Sequence, residues 1–179
     1  IPYTVKKIKR NSFENNYRLR EIQIPNEVIS IGDKAFAGCH GLKNLSLPSK
    51  LNYVGSFEFC KNIKSISLPD STKDTADGMF TGCEMLTSVK LPRKLKAIKA
   101  YDFADCRKLT KLNIPVTVKV VYMSAFAGSG LKKIVLPSNV QKIRNGNDGQ
   151  KVFEYIKGIG YPTKNLRVIE IHSKKVKSI

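Results

Sequence analysis

Histidine, acidic residues and long apolar runs are scarce in this 179-residue chain, and each scarcity excludes something. The two histidines, His40 and His172, have no Ser, Cys or acid at a spacing that suggests a nucleophile and its base. No stretch approaches 18 apolar residues, so no helix spans a membrane, and no signal-peptide pattern is visible at the start. The four cysteines form no C-x-x-C pair, the spacing a structural zinc site would want. Asn145-Gly146-Asn147-Asp148-Gly149 lacks the regular oxygen ligands of a calcium loop. Gly158-Ile159-Gly160 is too short for a dinucleotide fingerprint, and both segments read as turns. Asn44-Leu45-Ser46 fits the glycosylation pattern but falls in a strand-like stretch. Neither an enzyme nor a cofactor is expected.

What is present is a repeat. Prolines recur at Pro2, Pro25, Pro48, Pro69, Pro92, Pro115 and Pro137, spaced 23, 23, 21, 23, 23 and 22 residues apart. A fixed period in the twenties marks a solenoid, in which each repeat covers its neighbour's apolar face. Eleven residues after each proline stand Phe13, Phe36, Phe59, Phe80, Phe103 and Phe126, with Phe153 following a five-residue insertion. A second column reads Leu19, Leu42, Ile63, Leu86, Leu109, Leu131 and Leu166. The six phenylalanines are expected to be buried in one stack.

Each repeat ends on a period-2 pair: Ile22/Ile24, Leu45/Leu47, Ile66/Leu68, Val89/Leu91, Leu112/Ile114, Ile134/Leu136 and Ile169/Ile171. That alternation predicts seven strands in one parallel sheet, about 4.8 Å per repeat and about 30 Å long. Proline ends each strand because it cannot donate the next ladder hydrogen bond. Residues 32–38 (Gly-Asp-Lys-Ala-Phe-Ala-Gly) predict a short helical turn that carries Phe inward and closes on glycine. The chain therefore reads as one solenoid of about seven repeats over residues 1–179, the seventh (137–171) expanded to 35 residues by an insertion expected in a surface loop. Partial repeats at both ends, without polar caps, predict a segment of a longer protein with open sheet edges that pair or need a cover.

The pattern Pro-x-x-Val-x-x-Ile-x-x-x-Ala-Phe-x-x-Cys-x-x-Leu-x-x-Ile-x-Leu resembles the BspA-like leucine-rich repeats, the bacterial surface antigen type, over residues 2–171. The resemblance implies a leucine-rich-repeat solenoid with a parallel β-sheet on its concave face and helical turns elsewhere. It also implies an extracellular or cell-surface location and a binding role, adhesin-like in some members. The motif residues are the buried ones, so they name no ligand.

Cys39, Cys60, Cys83 and Cys106 share one repeat position, which Asn16 and Ser129 fill in flanking repeats. Free, buried thiols are expected, since in-register side chains must leave their rotamers to bridge. The repeats also turn charge into rows. Lys and Arg total 32 against 14 acids, a net charge of +18, and residues 107–179 hold +12 of it. After the leucine column come Arg20, Lys43, Lys64, Lys132 and Arg167, and the outward strand positions add Lys90, Lys111 and Lys133. Lys43, Lys64, Lys90, Lys111, Lys132, Lys133 and Arg167 are the candidate binding residues. Such a row suits a linear polyanionic glycan or a protein ligand on a cell or matrix surface. The alternatives are a spacer within a larger surface protein and a nucleic-acid scaffold. The scattered tyrosines (Tyr3, Tyr17, Tyr53, Tyr101, Tyr122) make no base-stacking stripe and count against the latter.

Overall fold

The computed structural model describes residues 1–122, 124–144 and 168–171. Eleven short strands lie among them, all paired in parallel. They fall into two ladders, one per side of each repeat. The first comprises β1 (Lys7–Ile8), β2 (Ser30–Ile31), β3 (Tyr53–Val54) and β5 (Asp74–Thr75), then β7 (Ala97–Ile98), β8 (Val120–Tyr122) and β10 (Lys142–Arg144). The second is the ladder expected at the repeat ends, and it is discontinuous: β4 (Ser65–Ser67) pairs with β6 (Ser88–Lys90), and β9 (Lys133–Leu136) with β11 (Val168–Ile171). Ile22/Ile24, Leu45/Leu47 and Leu112/Ile114 are not in strands, so the single seven-stranded sheet is corrected to pairs. The first ladder escaped the sequence pattern because two residues are too few to show an alternation. The expected helical turn at 32–38 is a chain of three-residue turns, Ala35 N–H to Gly32, Ala37 to Lys34 and Cys39 to Phe36, and no helix is formed among the described residues.

Every corner is closed in the same way. The carbonyl of each seam proline accepts the N–H three residues on, from Val5, Val28, Leu51, Thr72, Leu95, Val118 and Val140, at 3.0–3.3 Å. These acceptors stand where the missing proline N–H has ended the previous strand.

The core is a rod of stacked side chains. Phe13, Phe36, Phe57, Phe80, Phe103 and Phe126 stack with ring centroids 5.2–6.0 Å apart. Phe57, not Phe59, belongs to this column. The third repeat lacks two residues between its strand and its phenylalanine, so Gly55 follows Val54 and Phe57 comes directly after Ser56. Spacing to the cysteine identifies the right ring: Phe36/Cys39, Phe57/Cys60, Phe80/Cys83 and Phe103/Cys106 are each three apart. Phe59 is 48% exposed and takes the position of Gly38 and Gly82, with φ of 57° where those glycines have 71° and 68°. A side chain at this left-handed position is strained, and here it is also aromatic. Phe153 and Leu166 lie outside the described residues.

The four thiols are unbridged and buried. Each donates to the carbonyl of the phenylalanine one repeat earlier: Cys39 to Phe13 and Cys60 to Phe36 at 3.0 Å, Cys83 to Phe57 and Cys106 to Phe80 at 3.1 Å. Ser129 continues the column, but its buried hydroxyl has no partner among the described residues. The shorter C–O bond does not reach where sulfur does.

Two outcomes follow from this packing. Phe57→Ala should cost about 3–5 kcal/mol in urea unfolding, whereas Phe59→Ala should stay within about 1 kcal/mol. Ser129→Cys should raise stability by about 1 kcal/mol by supplying the missing rung, and thiol titration of the native variant should find all five sulfurs slow to react.

Candidate ligand-binding face

The candidate cations are carried by the repeat-end segments. Lys43, Lys64, Lys90, Lys111, Lys132 and Lys133 are all exposed. Lys90 ends β6 and Lys133 begins β9, while Lys111 lies in an unpaired segment. Backbone bonds hold part of the row at one-repeat spacing: Lys64 N–H donates to Lys43 O at 3.4 Å, and Thr87 N–H to Lys64 O at 2.8 Å. Arg167 lies outside the described residues, as do the insertion after Arg144 and His172. Lys43, Lys64, Lys90, Lys111 and Lys132 enter no ion pair among the described residues, where the pairs formed include Lys34–Glu58 at 3.9 Å, Lys61–Glu84 at 3.3 Å, Arg93–Asp70 at 3.0 Å, and Lys99 with Asp74 and Asp77 at 3.0 and 3.8 Å. The Arg93 backbone N–H, backed by its guanidinium, holds the exposed Asp70 carboxyl below the usual range.

A groove of about 1150 Å³ opens at the N-terminal end of this face. Arg20, Lys43, Asn44 and Asn62 line it, with the rings of Tyr17 and His40 4.9 Å apart. Nothing in the charge pattern announced it, since the repeat-end strands were expected to pair there. The adjacency of Tyr17 and His40, both one residue after the cysteine position, was the available signal.

A second, smaller cavity of about 440 Å³ sits beside the first ladder, lined by Asp33, Tyr53, Ser56, Glu58, Asp77 and Lys99. Its charges are spent on one another. The Tyr53 hydroxyl donates to Asp33, and burial, followed by that carboxylate, pushes the phenol well above its ordinary range. Among the described residues no group of three or more His, Cys, Asp or Glu could hold a metal ion.

The break in the first ladder between β5 and β7 has a chemical cause. At intact steps the residue after the strand donates back one repeat, as Gly32 does to Ile8, Gly55 to Ile31 and Ala76 to Val54. At the break, Lys99 N–H donates instead to the buried Asp102 carboxylate at 2.7 Å. The Lys99 ammonium takes over the abandoned Thr75 carbonyl at 2.5 Å. Asp102 stands in a column filled elsewhere by Ser12, Ala35, Ser56, Met79 and Ala125. Burial pushes its carboxyl up to about 7, against the pull of the Lys99 and Met79 N–H donors and the Lys99 ammonium.

The comparisons with known proteins agree with this geometry. The chain matches the family model of the BspA-type leucine-rich repeat region in six copies, over residues 1–75 and 54–159, and it belongs to that family. Among solved structures it is similar to a leucine-rich repeat protein from Bacteroides ovatus, with 29% identity and a TM-score of 0.69, covering 99% of this chain and 49% of that one. A leucine-rich repeat protein of T. pallidum shares 31% identity over 67% of this chain and 56% of its own, with a TM-score of 0.62. A leucine-rich cell surface protein from Faecalibacterium prausnitzii has the same fold at 21% identity and a TM-score of 0.65, over 97% of this chain and 53% of that one. The chain thus spans about half the length of these relatives. No curated protein matches it. No helix among the described residues is long and apolar enough to cross a membrane.

Asp102 should make stability depend on pH. Its carboxyl titrates higher in the fold than in the unfolded chain, so the folded state holds the extra proton. That contribution is complete below the ordinary carboxylate range and disappears as pH rises through about 7. Thermal or urea unfolding should therefore show roughly 2 kcal/mol less stability at pH 8 than at pH 5.5. Asp102→Ala, which installs the residue present at Ala35 and Ala125 and frees Lys99 N–H for Thr75, should flatten that slope.

Proposed function

We propose that this repeat region is a non-enzymatic module of a surface or secreted protein whose repeat-end face binds a polyanionic glycan or an acidic protein surface. The observation that carries the reading is the set of six exposed lysines, Lys43 to Lys133, on the repeat-end segments. They stand one, two or four residues after the leucine column, and where these segments pair, neighbouring repeats lie about 4.8 Å apart, which suits a linear polymer of negative charge. A family model built on repeats, together with a relative described as a leucine-rich cell surface protein, supports the surface assignment. Solenoids offer long continuous surfaces for binding, and the family's motif residues are spent on the core.

Retention on immobilised heparin should fall steeply as salt rises, because pairing of cations with sulfates releases condensed counterions. Replacing Lys111, Lys132 and Lys133 together by Glu should abolish most of the retention. The matching triple replacement at Lys6, Lys7 and Lys9 should do less, since these residues lie at the first ladder, where Lys7 belongs to β1. Equal loss in both variants would make the charge a diffuse field, and no retention in the parent would leave the spacer reading.

A further inference from the structure

The groove at the N-terminal end of the lysine face is built differently from the row. Three successive repeats line it, through Tyr17 and Arg20, then His40, Lys43 and Asn44, then Asn62. It lies where the repeat-end ladder is absent. No hydrogen bond among the described residues joins 20–24 to 43–47, whereas one repeat later Asn44 bridges Ser65 and Lys64 N–H reaches Lys43 O. The first ladder still clamps the two repeats through Lys7–Ser30 and Ile8–Ile31, so the cleft opens on one side only.

Its chemistry is specific. Asn44, Asn62 and Ser46 each carry both a donor and an acceptor, the complement of a hydroxyl that is itself both. The Asn62 amide N–H donates to the His40 carbonyl at 2.7 Å, which anchors that turn and leaves the amide oxygen as an acceptor. Tyr17 is 59% exposed and its ring lies at 44° to that of His40, forming an angled aromatic wall. Such a wall offers an apolar face beside polar groups, the arrangement expected of a small-ligand site. Arg20 and Lys43 enter none of the ion pairs among the described residues, and Glu21 is the one acid lining the groove. A guanidinium pairs two-pronged with a carboxylate or sulfate.

We propose that this groove binds one acidic hexose unit of a glycan, its ring face against Tyr17 and His40, its hydroxyls on Asn44 and Asn62, and its anionic group on Arg20 and Lys43. The proposal rests on the reading of the face as glycan-binding and narrows it to a defined sugar site at one end. The lysine row would then hold the rest of the polymer by charge.

Calorimetry with a trigalacturonate and a sulfated trisaccharide, set against neutral galactotriose and inorganic tripolyphosphate, tests it. At least one acidic trisaccharide should bind at least about tenfold more tightly than galactotriose and than tripolyphosphate. Tyr17→Ala should weaken that binding by about tenfold or more while heparin retention stays within about twofold. Tyr17→Leu, which keeps bulk without the ring, should do the same, with an unchanged melting temperature as the control for folding. Lys43→Gln should shrink the preference for the acidic over the neutral sugar. Binding of neither acidic trisaccharide, unchanged affinity in both Tyr17 variants, or tripolyphosphate binding equal to the sugar would each overturn the proposal. Heparin retention that survives those results would leave the wider face reading intact. Loss of its dependence on Lys111, Lys132 and Lys133 would overturn that reading instead.

Discussion

Everything in this molecule depends on one constraint: the backbone of each repeat must find its hydrogen-bond partners in the next. An isolated repeat of about 23 residues cannot bury its own apolar side or satisfy its own N–H and C=O groups. Stacking answers both needs at once. Phe57 N–H donates to Met79 O and Phe103 N–H to Ala125 O, each at 2.7 Å, while their rings stack on those of the neighbouring repeats. The cysteine sulfurs add a third link, each reaching a phenylalanine carbonyl one repeat back. Because the phenylalanine N–H makes this bond at Phe13, Phe57, Phe80 and Phe103, a fault at one step leaves the neighbouring steps bonded. The two-residue deletion before Phe57 displaces Phe59 to the surface and leaves the ring column intact.

The faults are informative. At Asp102 a carboxylate takes the N–H that the ladder needs, and a lysine side chain substitutes for it at Thr75. At the first two repeats no hydrogen bond among the described residues joins the repeat-end segments, and a groove of about 1150 Å³ lies there. A solenoid spends its conserved-looking pattern on the core, so recognition has to come from variable outward positions and from departures from regularity. The lysine row is of the first kind and the Tyr17–His40 groove of the second.

Much of the fold was legible beforehand because periodicity reports burial directly. The leucine column (Leu42, Ile63, Leu86, Leu109, Leu131) is buried throughout its described interior, and the thiols are free as their shared position implied. Three features are not carried by the periodicity. Counting from Pro48 places Phe59 in the core, whereas counting from Cys60 selects Phe57. The first ladder was invisible because its strands are mostly two residues long. The groove is hard to read because the alternating pattern promises pairing at Ile22/Ile24 and Leu45/Leu47, and the shared position of Tyr17 and His40 is its one mark in the sequence. The exposed lysines were readable as a row, but whether a row faces solvent beside a cavity depends on neighbours that a linear pattern does not contain.

The sequence by itself determined the class of architecture, the repeat boundaries and the identity of nearly every core column. A period of 21 to 23 residues with proline at the seam leaves stacking as the only way to bury those columns. Only the tertiary structure decided where each ladder breaks and where the face opens into a groove. Those outcomes turn on single hydrogen bonds between repeats, such as Lys99 N–H choosing Asp102 over Thr75. Such a choice depends on distances across the stack, which no spacing along the chain encodes.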